Sequence, residues 1–225
     1  MSHDAGMQNP VPASSRRSFL RTALSAGAAA ASAVPTWSFA QSLGAVASPP
    51  APEPSPRVVR PALLRTALAA LARHGDRIPL HDRIAIADFA APSAMPRFHL
   101  IDLASHDTIT LRVAHGRGSD PAHTGWLQHF SNDAGSYASC EGAFLAADYY
   151  VGKHGRSQRL IGLDPTNDNA LDRAIVIHSA WYAEPVVAAR GQLGRSEGCF
   201  AVAQADLERI FARLGPGRML FAAKA

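Results

Sequence analysis

A chain of 225 residues suits one domain of ordinary size with some sequence to spare. Hydrophobic residues at 47% and charged ones at 18%, without a long like-charge block, exclude intrinsic disorder as the main state. The formal charge of +4 falls to +2 over residues 41–225, too even a balance for a nucleic-acid surface, and two cysteines exclude both a disulfide framework and a four-cysteine zinc site.

Residues 1–40 carry three of the arginines (Arg16, Arg17, Arg21) and one acid, Asp4. Two adjacent arginines, a short and mildly apolar alanine-rich run, and the small residues of Ser38-Phe39-Ala40 follow one another in the order of a bacterial twin-arginine export signal. The run is too short and alanine-rich for a membrane span. The reading predicts cleavage before Gln41, passage through the twin-arginine translocase, and a mature protein in the periplasm or at the cell wall without a stable membrane anchor. Residues 41–60 form a linker in which Ser48–Pro56 holds five prolines in nine residues, an extended and semi-rigid spacer.

Residues 61–77 open with an amphipathic helix: Leu63, Leu64, Ala67, Leu68, Leu71 and Ala72 recur at three- and four-residue steps, and Gly75 stops it. The period then changes to two. Residues 83–89, 97–103 and 108–113 read as strands, with further strands at 143–151, 159–163, 174–178 and 219–223. One late helix over 204–213 places Leu207, Ile210, Phe211 and Leu214 on one side. Short strands with few helices make residues 78–225 a mainly β domain, a sandwich or barrel with one or two short helices. Two long loops, 114–142 and 180–198, interrupt it, and such loops in a compact domain are often functional.

The chemistry concentrates at the second loop. His178 ends an apolar strand, and Cys199 follows Gly198 twenty-one residues later. A thiol becomes a nucleophile when a neighbouring imidazole takes its proton. Gly198 allows close backbone approach, so the amides of Gly198 and Cys199 are candidate donors to an oxyanion. Arg195 and Ser196 either steady this loop or, for Arg195, meet a substrate carboxylate. Against this stands the commoner fate of a free cysteine, a small buried hydrophobe. His115, His123 and His129 lie eight and six residues apart, without the i,i+4 pairing of a helical metal site. No metal or other cofactor is expected.

The run Gly191-Gln192-Leu193-Gly194-Arg195-Ser196-Glu197-Gly198-Cys199, with upstream His178, resembles the L,D-transpeptidases, in particular a branch whose motif reads Gly-Arg-Leu-Gly-Arg-Ser-x-Gly-Cys. The likeness continues upstream through Val113-Ala114-His115-Gly116-Arg117-Gly118-Ser119, Phe130-Ser131-Asn132, Gly135-Ser136-Tyr137, Tyr150-x-Gly152-x-His154-Gly155-x-Ser157 and Asn167-Asp168-Asn169-Ala170. It spans the chain from about Asp88 onward. The resemblance implies a cysteine transpeptidase acting on peptidoglycan stem peptides, with Cys199 as nucleophile, His178 as base, Ser196 and Gly198 as further catalytic residues, and carbapenems as inhibitors. Arg195, Tyr150 and Ser136 are candidate contacts for the stem peptide, and His115 is assigned to the same region, there or as a brace for its loop.

This chain departs from the branch at Ser179, usually Gly, at Glu197, usually large or apolar, and at Phe200, commonly Pro. A carboxylate two residues from the thiol raises its pKa if it points inward and matters little if it points away. Transfer to water instead of an amine would make the chain an L,D-carboxypeptidase, and loss of chemistry would leave a wall-binding module. A Cys140–Cys199 disulfide, conceivable in an oxidising compartment, would silence the nucleophile.

Overall fold

The computed structural model describes residues 59–224. The expected export signal (1–40) and nearly all of the expected linker (41–60) lie outside them. Helix α1, Pro61–Arg73, begins on a proline whose missing N–H leaves no helical bond unmade. It buries Leu63, Ala67, Ala70 and Leu71; of the other residues expected on this side, Leu64 is half-buried and Leu68 and Ala72 are exposed. These side chains join Ile84, Ile86, Ile101, Met219 and Phe221 in one apolar cluster.

The strands are β1 (Arg83–Asp88), β2 (Phe98–Asp102), β3 (Thr108–Leu111), β4 (Gly142–Gly152), β5 (Gly155–Gly162), β6 (Val176–Ser179), β7 (Phe200–Val202) and β8 (Met219–Ala223). They make one mixed sheet in the order β3-β2-β1-β8-β4-β5-β6-β7. β1 with β8 and β6 with β7 run parallel, and the remaining neighbours run antiparallel. Alternation sorts the side chains. Ile84 and Ile86 of β1, with Met219 and Phe221 of β8, face α1. Ala85, Ala87, Leu220 and Ala222 face the larger core with Phe89, Phe98, Phe144 and Phe200. Both faces are covered, which is why these strands read as unbroken apolar runs.

The mainly β fold expected from the sequence is thus a single sheet, and its two edge strands meet. Just past β3, the Ala114 amide donates to the Ala201 carbonyl of β7 at 2.8 Å. Helix α3, Gln204–Arg213, coincides with the expected late helix and lays Leu207, Ile210 and Phe211 into the larger core. A short helix α2, Pro185–Ala188, sits within the second long loop.

Three strands differ from expectation. Strand β7 went unread, because three residues between a glycine–cysteine pair and a helix are too few to show a period. The strand expected from Arg159 begins at Gly155 and forms a hairpin with β4, whose two-residue tip is Lys153-His154. Ala174 and Ile175 stay outside β6, and Ala174 takes a positive φ of 53°.

Candidate active site

Parallel pairing of β6 with β7 sets His178 opposite Ala201, two residues past Cys199. Both His178 and Cys199 line a cavity of about 780 Å³. The imidazole has a fixed tautomer: Nδ1 lies 2.9 Å from the Ser179 carbonyl, which can only accept, so Nδ1 carries the proton and Nε2 is left as the basic nitrogen. Burial is the main cause that lowers the His178 pKa to about 4, opposed by that carbonyl and helped by His154 and Lys153. Cys199 is half-buried, and desolvation raises its thiol pKa. Its Sγ donates to the Ala174 carbonyl at 3.4 Å, and among the described residues no hydrogen bond joins it to His178. At neutral pH these shifts describe a neutral thiol beside a neutral base.

The turn that carries Cys199 is built by Ser196 and Gly198. Ser196 Oγ donates to the Cys199 carbonyl at 2.7 Å and accepts from the Gly198 amide at 3.2 Å. Gly198 has φ +116°, and a Cβ there would stand 2.7 Å from Ile175 Cδ1 and 2.8 Å from the Ala138 carbonyl oxygen. Only glycine fits. The Gly198 amide, expected to face an oxyanion, is therefore engaged inside its own turn, which leaves the Cys199 amide as the donor of the pair.

Behind the turn lies a buried polar wall. Ser196 N donates to the His115 carbonyl and Arg117 N donates to the Ser196 carbonyl, at 2.9 and 2.8 Å. Gly116 permits this approach, since a Cβ there would meet the Tyr137 carbonyl oxygen at 2.4 Å. Ser139 Oγ accepts from the Gly116 amide and donates to the Gly198 carbonyl. Deeper still, Arg97 is fully buried and donates to the carbonyls of Val113 and Ala91 and to His115 Nδ1. Burial lowers the Arg97 pKa to about 9 and, with the Arg97 charge, that of His115 to about 4.

His115 is thus a correction to the substrate contacts expected from the sequence. It is 1% exposed, lies edge-on against Phe89, and holds the turn through its backbone. Ser136 is another: its hydroxyl is occupied by the Arg173 guanidinium and the Ala138 amide, and it does not line the cavity. Arg195 borders the cavity, but its Nη1 donates to the carbonyls of Asp120 and Pro121, the loop-steadying alternative. Tyr150 does line the cavity, under the Arg159 guanidinium at 4.1 Å. Glu197 borders the same cavity but pairs with Arg117 at 3.4 Å, both about half-exposed or more, while Arg117 stacks on Tyr137. Cys140 and Cys199 are both free thiols, and burial pushes Cys140 up to about 11.

The structure adds lining residues that sequence reasoning did not place: Lys153, Asp172, Arg173 and Tyr182. His154 stacks on His178 with ring centroids 4.1 Å apart and planes 21° from parallel. Among the described residues no cluster of three or more His, Cys, Asp or Glu is placed to hold a metal ion.

A half-buried thiol on a glycine turn and a histidine of fixed tautomer line one cavity, an arrangement suited to nucleophilic chemistry. Residues 56–223 match the L,D-transpeptidase catalytic domain family, and the chain belongs to it. Similar solved structures include an L,D-transpeptidase from Mycobacterium smegmatis, 11% identical, with a TM-score of 0.40 over 63% of this chain and 58% of that one. L,D-transpeptidase 3 from Mycobacterium tuberculosis, in complex with a faropenem-derived adduct, is 11% identical with a TM-score of 0.42 over 64% of this chain and 60% of that one. One from Xylanimonas cellulosilytica is 12% identical, with a TM-score of 0.39 over 69% and 68%. The chain spans less than two thirds of the mycobacterial structures. A search of curated proteins finds no match.

Proposed function

We propose that the chain is an exported cysteine L,D-transpeptidase that acts on peptidoglycan stem peptides. The observation that carries this reading is the single cavity shared by the Cys199 thiol and the Nε2 side of His178. Cys199 Sγ attacks the carbonyl of the diamino acid in a tetrapeptide stem while His178 Nε2 takes the thiol proton. The new S–C bond gives a tetrahedral oxyanion, which the Cys199 amide stabilises. Collapse breaks the C–N bond, His178 returns the proton to the departing D-alanine amine, and a thioester remains. An amine of a second stem then attacks the thioester, loses its proton to His178, and the thiol is restored. The reaction needs no metal or cofactor.

Because the thiol and imidazole start neutral, proton transfer belongs to the attack itself rather than to a pre-formed ion pair. Export by the twin-arginine translocase, with function in the periplasm or at the cell wall, rests on the order of features in residues 1–40.

The test is intact-protein mass spectrometry of the full chain with a synthetic tetrapeptide stem and, separately, with a carbapenem. The expected result is a covalent adduct on wild type and none on Cys199→Ala or on His178→Gln within the same time. Adducts on Cys199→Ala would sink the reading. Among the products, cross-linked dimers mean transfer to an amine, and shortened stems alone mean hydrolysis.

A further inference from the structure

The charged side chains that line the cavity differ in what they touch. Arg195 is tied to the carbonyls of residues 120 and 121, and Arg173 to Ser131, Ser136 and Ala138. Glu197 is paired with Arg117. Lys153 is exposed and, among the described residues, is the one cavity-lining cation with neither a hydrogen bond nor an ion pair. It is also one of two lysines among 22 basic residues, and the other, Lys224, donates to the Leu127 carbonyl.

The position of Lys153 is set by the hairpin that carries it. Gly152 pairs with Gly155, so Lys153 and His154 alone make the turn. Ser157 of β5 pairs with His178 of β6, and this register carries the tip past the end of β6. There the His154 ring stacks on His178. A lysine next in sequence to that stacked ring is held beside the reacting pair, and its charge acts on both His178 and Cys199. A compact ammonium on a flexible stem suits a ligand whose anion approaches from solvent.

Resting on the reading of Cys199 as the acylated nucleophile, we propose that Lys153 is the carboxylate-binding group of the acyl-donor subsite. Its ammonium pairs with a free carboxylate of the stem peptide while the scissile carbonyl lies at Cys199. Such a carboxylate has two sources, the C-terminus of the departing amino acid and the side chain of the diamino acid. An ion pair at the mouth of a cavity also steers the donor inward, which makes binding salt-sensitive.

The experiment measures equilibrium binding of stem tetrapeptides to the full chain in a Cys199→Ala background, with and without Lys153→Met. Peptides carry both carboxylates, an amidated C-terminus, or an amidated side chain. Lys153→Met is expected to weaken binding of the doubly free peptide about five- to tenfold. Lys153→Arg is expected to retain most of it. The amidated peptide that binds wild type and Lys153→Met equally identifies the carboxylate that Lys153 reads. Raising salt should weaken binding to the lysine form and hardly affect the Met form. Equal binding of all peptides by both forms, with melting curves unchanged, overturns the proposal. Because this readout needs no turnover, it is separate from the adduct test: adducts on Cys199→Ala would remove the nucleophile and leave the carboxylate result standing as measured.

Discussion

Behind Cys199, the side chains of Arg97, His115, Asp120, Ser139 and Ser196 are all buried, and each is hydrogen-bonded to backbone or to another member of the group. In front of it, Lys153, His154, Asp172 and Glu197 are exposed and border the cavity. The wall holds backbone: it fixes where residues 195–199 run and leaves no side chain free for a ligand. The rim holds little and is open to meet one. Polar residues near the thiol therefore fall into two kinds, separated by burial and by hydrogen bonds to the surrounding backbone; His115 Nε2 alone of these wall groups has no hydrogen-bond partner among the described residues, at 3.4 Å from the Asp120 carboxylate.

Acid should separate the two regions most. His115 in the wall and His178 at its boundary are both neutral when folded, with pKa lowered from 6.5 to about 4. The unfolded chain takes up protons at these groups near pH 6.5 and the folded chain does not, so stability falls as pH drops from 6.5 towards 4. The loss is at most about 3 kcal/mol for each histidine at pH 4. Denaturant titrations at pH 7, 5.5 and 4 measure it. Stability that is flat over this range would show that His115 is not sealed as the structure draws it. Removing the wall's cation is nearly as severe. Arg97→Met leaves the Val113 carbonyl, His115 and the Asp120 carboxylate without their charged neighbour, and should cost about 3–5 kcal/mol. A melting temperature within a degree or two of wild type would refute the wall as a stabilising unit.

Gly198→Ala tests the junction of the two regions. A methyl group at φ +116° meets Ile175 and the Ala138 carbonyl oxygen, so the turn must shift. The expected cost is about 1–3 kcal/mol of stability, and the displaced thiol should slow acylation roughly a hundredfold. Acylation at the wild-type rate would mean that the wall does not set the position of Cys199.

The sequence revealed the wall less well than the thiol turn it supports. α1, α3 and most strands were legible from period and composition, because both faces of the sheet and one face of each helix are apolar. That Cys199, His178, Ser196 and Gly198 come together was legible, because a glycine turn and a thiol leave a compact local motif. Ser136 was read as a substrate contact and His115 as either a contact or a brace for its loop, since nearness along a motif does not tell a buried brace from a lining group. Lys153 was missed for a related reason. Its importance comes from the β5–β6 register, which brings the hairpin tip beside His178, and no local pattern encodes that register. The one available sign was its type, a lysine in a chain that otherwise uses arginine.

The smallest expected effect lies on the rim, at the residue that departs most from its family's pattern. Glu197 raises the thiol pKa of Cys199 and Lys153 lowers it, both behind the larger contribution of desolvation. Glu197 is 58% exposed and paired with Arg117, so water and the guanidinium screen it. Glu197→Gln should therefore change stability by less than about 0.5 kcal/mol. It should lower the thiol pKa by no more than about half a unit, whereas Lys153→Met should raise it by a similar amount. Rates of iodoacetamide alkylation against pH, compared with a Cys199→Ala blank, read both shifts. Opposite signs for the two variants would establish that the rim charges act on the thiol directly, through space and independently of the wall. A shift of a full unit or more for Glu197→Gln would mean that the carboxylate turns inward in solution, and the pair with Arg117 would no longer explain how a glutamate is tolerated two residues from the nucleophile.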